Sequence, residues 1–260
     1  GSEMCIRDSA NTAFEGAMVK DGIDLTSVEG AANLPYAIPH ISVELNSPRL
    51  PVPVQWWRSV GSTHTAFAVE TFIDQLARTA GKDPLEYRRK LLSNHPRHLG
   101  VLNLAAEKAA WGKALATNKA QGIAVHESFN SYVAQVAEVT LHDNNHFSVD
   151  RVVIAVDCGI AVNPDIIRAQ MEGGMGFGLS AALSSELTLD NGAVVQSNFH
   201  DYSVLRIDQM PAVEVHIVNS SEPPTGVGEP ATPVIAPAVA NALSVLTGKS
   251  FNRLPLQLSA

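Results

Sequence analysis

The apolar residues of the first half of the chain recur with the spacing of a helix. From Thr65 they fall three and four positions apart, which predicts one buried helical face. That face comprises Phe67, Val69, Phe72, Ile73, Leu76 and Ala80. Gly81 is predicted to be the C′ residue that ends this helix. Asp83 as N-cap, followed by Pro84 at N1, predicts the start of the next helix, and a third is predicted over residues 103–118.

The middle of the chain changes to an alternating pattern, which is typical of half-buried strands. The predicted strands are residues 132–139, 147–156 and 213–218. Residues 33–61, which are rich in proline, are predicted to be strand and loop. Asn191-Gly192 between two apolar runs is a strong hairpin signal.

Two later segments have the composition of buried helices. Asn163 as N-cap and Pro164 at N1 predict a helix that continues into the small-residue stretch 173–182. A glycine inside a helix costs about 1 kcal/mol relative to alanine, so its glycines indicate close packing or close approach to a ligand. The apolar run 231–246 predicts the second helix. We therefore predict an α+β fold in which mixed sheets and hairpins pack with helices.

Composition and charge exclude several classes of protein. Hydrophobic residues make up 45% and charged residues 17% of the 260 residues, as expected for a well-buried globular protein. The net charge of −8 argues against a nucleic-acid partner. No uninterrupted apolar run reaches the roughly 18 residues of a transmembrane segment. The two cysteines, Cys5 and Cys158, form neither a disulfide framework nor a metal-binding pair.

Three portions are predicted along the chain. Residues 1–9 match nothing that follows and are predicted to be a non-native leader. Residues 10–120 are predicted to be a first α+β portion, and residues 121–260 a C-terminal α+β portion that carries the loop Gly226–Pro230.

This loop contains the first candidate for chemistry. Glu229 stands between Gly228 and Pro230, directly before a buried helix. Glycine permits close backbone approach, and proline fixes the conformation without adding a hydrogen-bond donor. Glu229 is suited to act as a general base, or only to interact with the dipole at the start of the helix. The pentapeptide alone favours the second interpretation.

Two other groups of residues have a functional and a structural interpretation. Arg58 follows Trp56 and Trp57, and its guanidinium is suited to hold an anionic cofactor oxygen or to stack on an indole in the core. Gln170, Gly173 and Gly174 are suited to meet a nucleotide or pterin with an amide and bare backbone, or merely to pack tightly. The residues alone favour stacking in the core for Arg58. For Gln170, Gly173 and Gly174 they do not decide between ligand contact and tight packing.

No sequence motif indicates a metal held directly by side chains. The nine histidines have no HxH or HExxH spacing. A nucleophile elbow, a P-loop and a strand followed by GxGxxG are also absent, so simple hydrolase, phosphoryl-transfer and Rossmann functions lack support.

Four segments together carry a more specific signal. They are Trp57–Gly61 with Phe67–Asp74, Ala155–Gly159 through Asn163-Pro164 to Gln170–Gly174, Gln196–Tyr202, and Gly226–Pro230. In order and spacing they resemble the molybdopterin-binding large subunit of the xanthine oxidase family of molybdenum hydroxylases. Within that family they are similar to the isoquinoline 1-oxidoreductase β subunit and related aldehyde dehydrogenases. The resemblance covers residues 30–258 and corresponds to the C-terminal third of such a subunit.

The resemblance implies a role for each candidate residue. Glu229 matches the catalytic glutamate, which deprotonates a hydroxyl ligand on molybdenum before that oxygen attacks an electron-poor carbon. Arg58 matches an arginine that lines the metal pocket, and Gln170, Gly173 and Gly174 match a helix beside the cofactor. Gly226 and Gly228 would hold the backbone next to the cofactor. The pterin dithiolene binds the metal, so no protein ligand is implied.

The resemblance also implies cofactors and partners. These are a molybdenum-molybdopterin cytosine dinucleotide and [2Fe-2S] clusters on a separate iron–sulfur small subunit, because the chain has no ferredoxin-like cysteines. The substrate would be an N-heteroaromatic compound or an aldehyde, hydroxylated with oxygen from water. Two alternatives remain: a non-catalytic assembly domain of the same fold, and a metal-free hydrolase built around Glu229 and a histidine, with Ser59, Ser128 or Cys158 as nucleophile.

Overall fold

The chain folds around one mixed β-sheet in the computed structural model, which describes residues 19–46, 56–142 and 146–258. The predicted leader, residues 1–9, lies outside the described residues. In chain order the elements are β1 (Val19–Lys20), β2 (Ile23–Asp24), α1 (Leu25–Val28), α2 (Ser62–Thr79), α3 (Pro84–Leu91), α4 (Pro96–Lys108), β3 (Lys119–Ser128), β4 (Ser131–Leu141), β5 (Phe147–Asp157), α5 (Pro164–Leu183), β6 (Leu189–Asp190), β7 (Ala193–Val194), a 3-10 turn at Ile207–Gln209, β8 (Ala212–Ile217) and α6 (Thr232–Thr247). Among the described helices, none has both the length and the apolar character that a membrane span requires.

The central sheet has four strands in the order β3-β4-β5-β8. β3, β4 and β5 pair antiparallel, whereas β8 runs parallel to β5. Phe129 and Asn130 connect β3 to β4 with φ values of 55° and 59°. Positive φ at both positions matches the twist of a two-residue hairpin. The parallel pairing of β8 requires a long crossover, which α5 and the β6–β7 hairpin supply.

Helices cover both faces of this sheet. α5 and α6 pack on one face, against residues such as Ala137 and Val152. α4 packs on the other, against residues such as Val136 and Val153. Because successive strand residues point to opposite faces, the strands are apolar on both sides, and these four residues are completely buried.

α6 approaches β3 closely at Gly122. A Cβ atom at this position would lie 2.1 Å from the carbonyl oxygen of Ala238 and 2.3 Å from the backbone nitrogen of Ala242. Only glycine leaves room for the helix backbone at this distance. Gly122 therefore sets the distance between α6 and the sheet.

A buried ionic cluster, formed by Tyr36, Glu70, Asp74 and Arg88, joins α2 to α3. Arg88 is completely buried, and its Nε donates to Glu70 Oε2 at 2.9 Å and its Nη1 to Asp74 Oδ1 at 3.3 Å. Tyr36 donates its hydroxyl hydrogen to Glu70 Oε1 at 2.5 Å. Burial and the Glu70 charge raise the pKa of Tyr36 well above its ordinary value, so the phenol stays a neutral donor.

Glu70 also connects this cluster to β3 and α6. The backbone N–H of Val125 donates to Glu70 Oε2 at 3.0 Å. The Asn241 amide donates to the carbonyl oxygen of Ile123 at 3.0 Å and to that of Glu70 at 3.4 Å. A buried charge is tolerated when its hydrogen-bonding capacity is filled, and Tyr36, Arg88 and Val125 fill that of the Glu70 carboxylate.

Most local predictions are confirmed. The α+β class is correct, and Gly81 follows α2 with a φ of 63°. Asp83 Oδ1 accepts from the backbone N–H groups of Leu85 and Glu86 at 2.9 and 3.0 Å. Asn163 caps α5 in the same way. Asn191-Gly192 forms the β6–β7 hairpin, and the predicted apolar helix over 231–246 is α6.

Three local predictions are wrong. α4 occupies Pro96–Lys108 rather than 103–118, because Ala110 and Gly112 take positive φ values and end the helical path. No strand occurs in the described part of residues 33–61, where prolines withhold backbone donors. Phe72 is 58% exposed, because the inner face of α2 meets Arg88 and presents Glu70 and Asp74 instead.

One strand of the central sheet is absent from the sequence-based prediction. β3 is buried on both faces, so its residues do not alternate between polar and apolar. The division of the chain at residue 120 stays a prediction, and it falls inside this strand.

We expect Gly122→Ala to destabilise the fold by about 1–3 kcal/mol or more, because the new methyl group would displace the backbone of α6. Gly100→Ala is the matched control. A Cβ at Gly100, within α4, meets no atom within 4 Å, so this change should be neutral or stabilise by up to about 1 kcal/mol. Urea unfolding of the two variants measures the difference in their stability. Equal unfolding midpoints would contradict the close contact between Gly122 and α6.

We expect the fold to lose stability as the pH falls from about 6.5 towards 4. Burial lowers the pKa of His98 to about 3, helped by the charges of His95, His126 and Arg97, and burial lowers the pKa of His126 to about 4. The unfolded histidines, with a pKa near 6.5, bind protons that the folded ones do not, so each contributes a slope of about 1.4 kcal/mol per pH unit in this window.

His126→Gln isolates this effect from other titrating groups. The free energy of unfolding, measured by urea titration between pH 4.5 and 6.5, should depend less steeply on pH in the variant than in the parent chain. Parallel curves for the two proteins would show that His126 does not remain neutral in the fold.

Candidate active site

A cavity of about 530 Å³ lies where the turn before α2, the middle of α5 and the loop before α6 meet. Its lining residues are Trp56, Trp57, Arg58, Gln170, Phe177, Gly228 and Glu229. Arg58, Gln170 and Glu229 are far apart in the sequence, and the fold brings them to this one cavity. Each of these three is a site residue predicted from the sequence.

Arg58 connects two walls of the cavity. Its Nε donates to the carbonyl oxygen of Gly228 at 2.8 Å, and its Nη2 donates to the same oxygen. Nη2 also donates to Gln170 Oε1 at 3.3 Å. Arg58 therefore fixes the glycine loop and orients the Gln170 amide. Its Nη1 makes no hydrogen bond to another described residue and stays a free donor.

Glu229 is held by the turn that follows Arg58. The backbone N–H of Ser59 donates to Glu229 Oε2 at 2.8 Å, and the Ser59 hydroxyl donates to the backbone carbonyl of Glu229 at 2.6 Å. Glu229 is half-buried, and its carbonyl also accepts the N–H of Thr232 at 2.9 Å. The carboxylate thus lies at the cavity edge, just before α6.

A second carboxylate, Glu29, lies behind this turn. Its Oε1 accepts the backbone N–H of Gly61 at 2.7 Å. Burial raises the pKa of Glu29, the N–H groups of Gly61 and Ser62 oppose that shift, and the nearby charge of Glu229 adds to it. The site therefore contains two mutually repelling carboxylates on either side of one turn.

The predicted glycines have different surroundings. Gly174 is buried, and a Cβ there would lie 3.2 Å from the Cβ of Ala231 and 3.6 Å from Arg58 Nη2. Gly173 is exposed and has no atom within 4 Å of such a Cβ. Gly228 lines the cavity, whereas Gly226 lies beside Phe129. Neither Gly226 nor Gly228 has a positive φ, so the loop does not use that freedom of glycine.

Aromatic rings form another part of the wall. The Trp57 and Phe177 rings are 4.7 Å apart and tilted by 32°, and the Arg58 guanidinium lies 5.7 Å from the Phe177 centroid. Trp56 is buried, and its indole nitrogen has no hydrogen-bond partner among the described residues. No sequence pattern pointed to Phe177, which lies seven positions beyond Gln170 on α5.

The available groups fit an anionic organic cofactor better than a bare metal ion. Arg58 Nη1 and the Gln170 amide nitrogen are donors without a described partner, and guanidinium groups suit phosphate and other planar anions. Within residues 19–46, 56–142 and 146–258, no group of three or more His, Cys, Asp and Glu side chains could hold a metal.

The chain is similar to known proteins along most of its length. Residues 63–211 match the family described as the molybdopterin cofactor-binding domain. The β subunit of the isoquinoline 1-oxidoreductase of Brevundimonas diminuta is 37% identical over 226 residues, which is 85% of this chain and 29% of that protein. A chain of the nicotinate dehydrogenase of Pseudomonas putida is 33% identical over 241 residues, which is 85% of this chain and 20% of that protein.

A solved structure shares the fold. The quinoline 2-oxidoreductase from Pseudomonas putida 86 superposes with a TM-score of 0.68 over 78% of this chain and 52% of that one, at 14% identity. This chain spans less than a third of the length of the two curated relatives. From the family match, the chain belongs to the molybdopterin cofactor-binding domains found in the large subunits of the xanthine oxidase family of molybdenum hydroxylases.

Proposed function

We propose that the chain is the part of a molybdenum hydroxylase that carries the catalytic base. The whole enzyme would oxidise an N-heteroaromatic or aldehyde substrate at carbon, with oxygen from water. The observation that carries this proposal is the convergence of Arg58, Gln170 and Glu229 on one cavity. A carboxylate, a guanidinium and an amide are the groups needed to take up a proton and to hold an anionic cofactor.

Glu229 is the proposed general base. Its position at the cavity edge leaves the carboxylate within reach of a bound reactant, while Ser59 fixes it from behind. Arg58 and Gln170 orient the cofactor, and Gly228 gives it access to the loop backbone. Gly226 keeps the loop in place, because its carbonyl oxygen accepts the Ser131 hydroxyl at 2.6 Å.

Gly173 and Gly174 are proposed to act through their lack of side chains. Exposed Gly173 leaves the surface of α5 bare, and Gly174 lets α5 approach Arg58 and the start of α6. The proposed cofactor is molybdenum-molybdopterin cytosine dinucleotide, which supplies the two-electron oxidation when it is bound. An iron–sulfur partner subunit with [2Fe-2S] clusters would accept the electrons.

The names of the relatives support the substrate class. Isoquinoline and nicotinate are N-heteroaromatic compounds, and each appears in the name of a protein to which this chain is similar. The Trp57–Phe177 pair provides an aromatic wall for a planar ring.

A metal-free hydrolase is the less favoured alternative. Ser59 is adjacent to Glu229, as that alternative requires, but it is completely buried and its hydroxyl donates to a backbone carbonyl. A serine nucleophile needs a base that accepts its proton. The non-catalytic assembly domain remains the second alternative, and the metal content of the enzyme distinguishes it.

We expect Glu229→Gln in the cofactor-loaded enzyme to lower the turnover number by about 100-fold or more, because an amide cannot accept the proton. Glutamine preserves the size of the side chain, so the molybdenum content should not change. Glu107→Gln, at an exposed position on α4, is the control and should turn over normally. Near-normal turnover of Glu229→Gln at saturating substrate would refute the assignment of Glu229 as the base.

We expect molybdenum and iron to be present together in the intact complex that contains this chain. Elemental analysis and the visible absorbance of iron–sulfur clusters provide the measurement. A correctly folded complex that contains neither metal would instead support the assembly-domain alternative.

A further inference from the structure

The turn between Trp57 and α2 has an unusual backbone. Ser59 and Val60 are consecutive non-glycine residues with φ values of 78° and 52°. A β-branched residue such as Val60 rarely adopts positive φ, and a strained conformation persists only where the surroundings hold it. Ser59 is also completely buried. Both facts indicate that the path of this turn is fixed by its neighbours.

Contacts on both sides hold the turn. The N–H of Val60 donates to the carbonyl oxygen of Trp57 at 2.8 Å, and the Thr63 hydroxyl donates to that of Arg58 at 2.7 Å. Behind the turn, the N–H of Gly61 donates to Glu29 Oε1 at 2.7 Å. A Cβ on Gly61 would lie 2.1 Å from the carbonyl oxygen of Thr26, so no larger residue fits there.

The path of the turn determines which oxygen of Glu229 is held by the backbone. With Ser59 in the left-handed region, its N–H points at Glu229 Oε2, at 2.8 Å, and its hydroxyl reaches the Glu229 carbonyl, at 2.6 Å. One residue thus fixes both the carboxylate and the backbone of Glu229. Oε1 has no hydrogen-bond partner among the described residues, and Glu229 lines the cavity.

From this geometry we infer that Ser59 is a positioning residue for Glu229, and that it presents Oε1 as the atom that accepts the proton. The inference rests on the proposed function of Glu229 as the base. In the step, the proton bonds to Oε1, and the electron pair of the broken O–H bond stays on the oxygen that released it. Oε2 keeps its bond to the Ser59 N–H throughout.

The positioning contact can be tested in the chain itself, without cofactor or turnover. Exchange of the Ser59 amide hydrogen, followed by NMR, should be about 10-fold or more faster in Glu229→Ala than in the parent chain, because a charge-assisted bond is lost. Glu107→Ala, which removes an exposed carboxylate on α4, should leave this exchange unchanged. Amides of β4 report whether each variant is folded.

Unchanged Ser59 exchange in a folded Glu229→Ala chain would overturn the contact. If that variant does not fold, Glu229→Gln provides the same comparison, because the weaker neutral acceptor should still give faster exchange than the parent. Equal exchange in Glu229→Gln and the parent would then overturn it.

The catalytic consequence is tested with Ser59→Gly and Ser59→Ala in the cofactor-loaded enzyme. Glycine adopts the positive φ without strain and keeps the N–H, but it lacks the hydroxyl that holds the Glu229 backbone. We expect both variants to lower kcat by about 5-fold while KM stays within about 2-fold, because a misplaced base slows the chemical step and not binding.

The two proposals fail in different ways. Normal kcat in both Ser59 variants, together with an inactive Glu229→Gln enzyme, would refute the positioning role and leave the base intact. Normal turnover of Glu229→Gln would refute the base itself. A rise in KM with unchanged kcat in the Ser59 variants would assign Ser59 to substrate or cofactor binding and would also refute its positioning role.

Discussion

The burial of the Arg88 guanidinium is the constraint on which the other parts of this fold depend. A completely buried cation without partners would destabilise the fold by several kcal/mol, so the chain must bring carboxylates to it. Glu70 and Asp74 do so from one face of α2, and Arg88 itself comes from α3. Tyr36 and Val125 then fill the remaining acceptor positions of Glu70. Breaking any one of these bonds would leave a buried charge unsatisfied.

The ionic cluster also determines the geometry of the candidate site. α2 and α6 both begin at the cavity, one after the Arg58–Gly61 turn and the other after Glu229. The Asn241 amide of α6 donates to the carbonyl of Glu70 on α2. The two residues lie at similar distances from the starts of their helices. At the start of α6, the Thr232 hydroxyl bonds to the carbonyl of Gly174 on α5, at 3.1 Å. The three walls of the cavity are therefore connected by polar contacts in the core.

The sequence predicted those features whose physical cause is local. The Asp83 and Asn163 caps, the Asn191-Gly192 hairpin and the apolar helix α6 were all correct, because each depends on neighbouring residues. β3 and the exposure of Phe72 were missed, because they depend on contacts between distant segments. The start of α4 was missed although Pro96 at its first position is a local signal. The predictions for Arg58, Gln170 and Glu229 came mainly from the resemblance, since no local rule places these residues on one cavity. Glu29 and Phe177 could be assigned to the site only from the structure, as could the contacts by which Ser59 holds Glu229.

The contacts of Glu70 and Asn241 have a consequence for association of the chain with other chains. β3 is an edge strand of the central sheet, and an edge normally presents unpaired N–H and carbonyl groups that can pair with a strand from another molecule. Here the N–H of Val125 bonds to the Glu70 carboxylate and the carbonyl of Ile123 bonds to the Asn241 amide. Side chains from the two helices therefore occupy two of the positions that an incoming strand would need. The contacts that neutralise Arg88 and align the helices thus also protect this edge from intermolecular β-pairing.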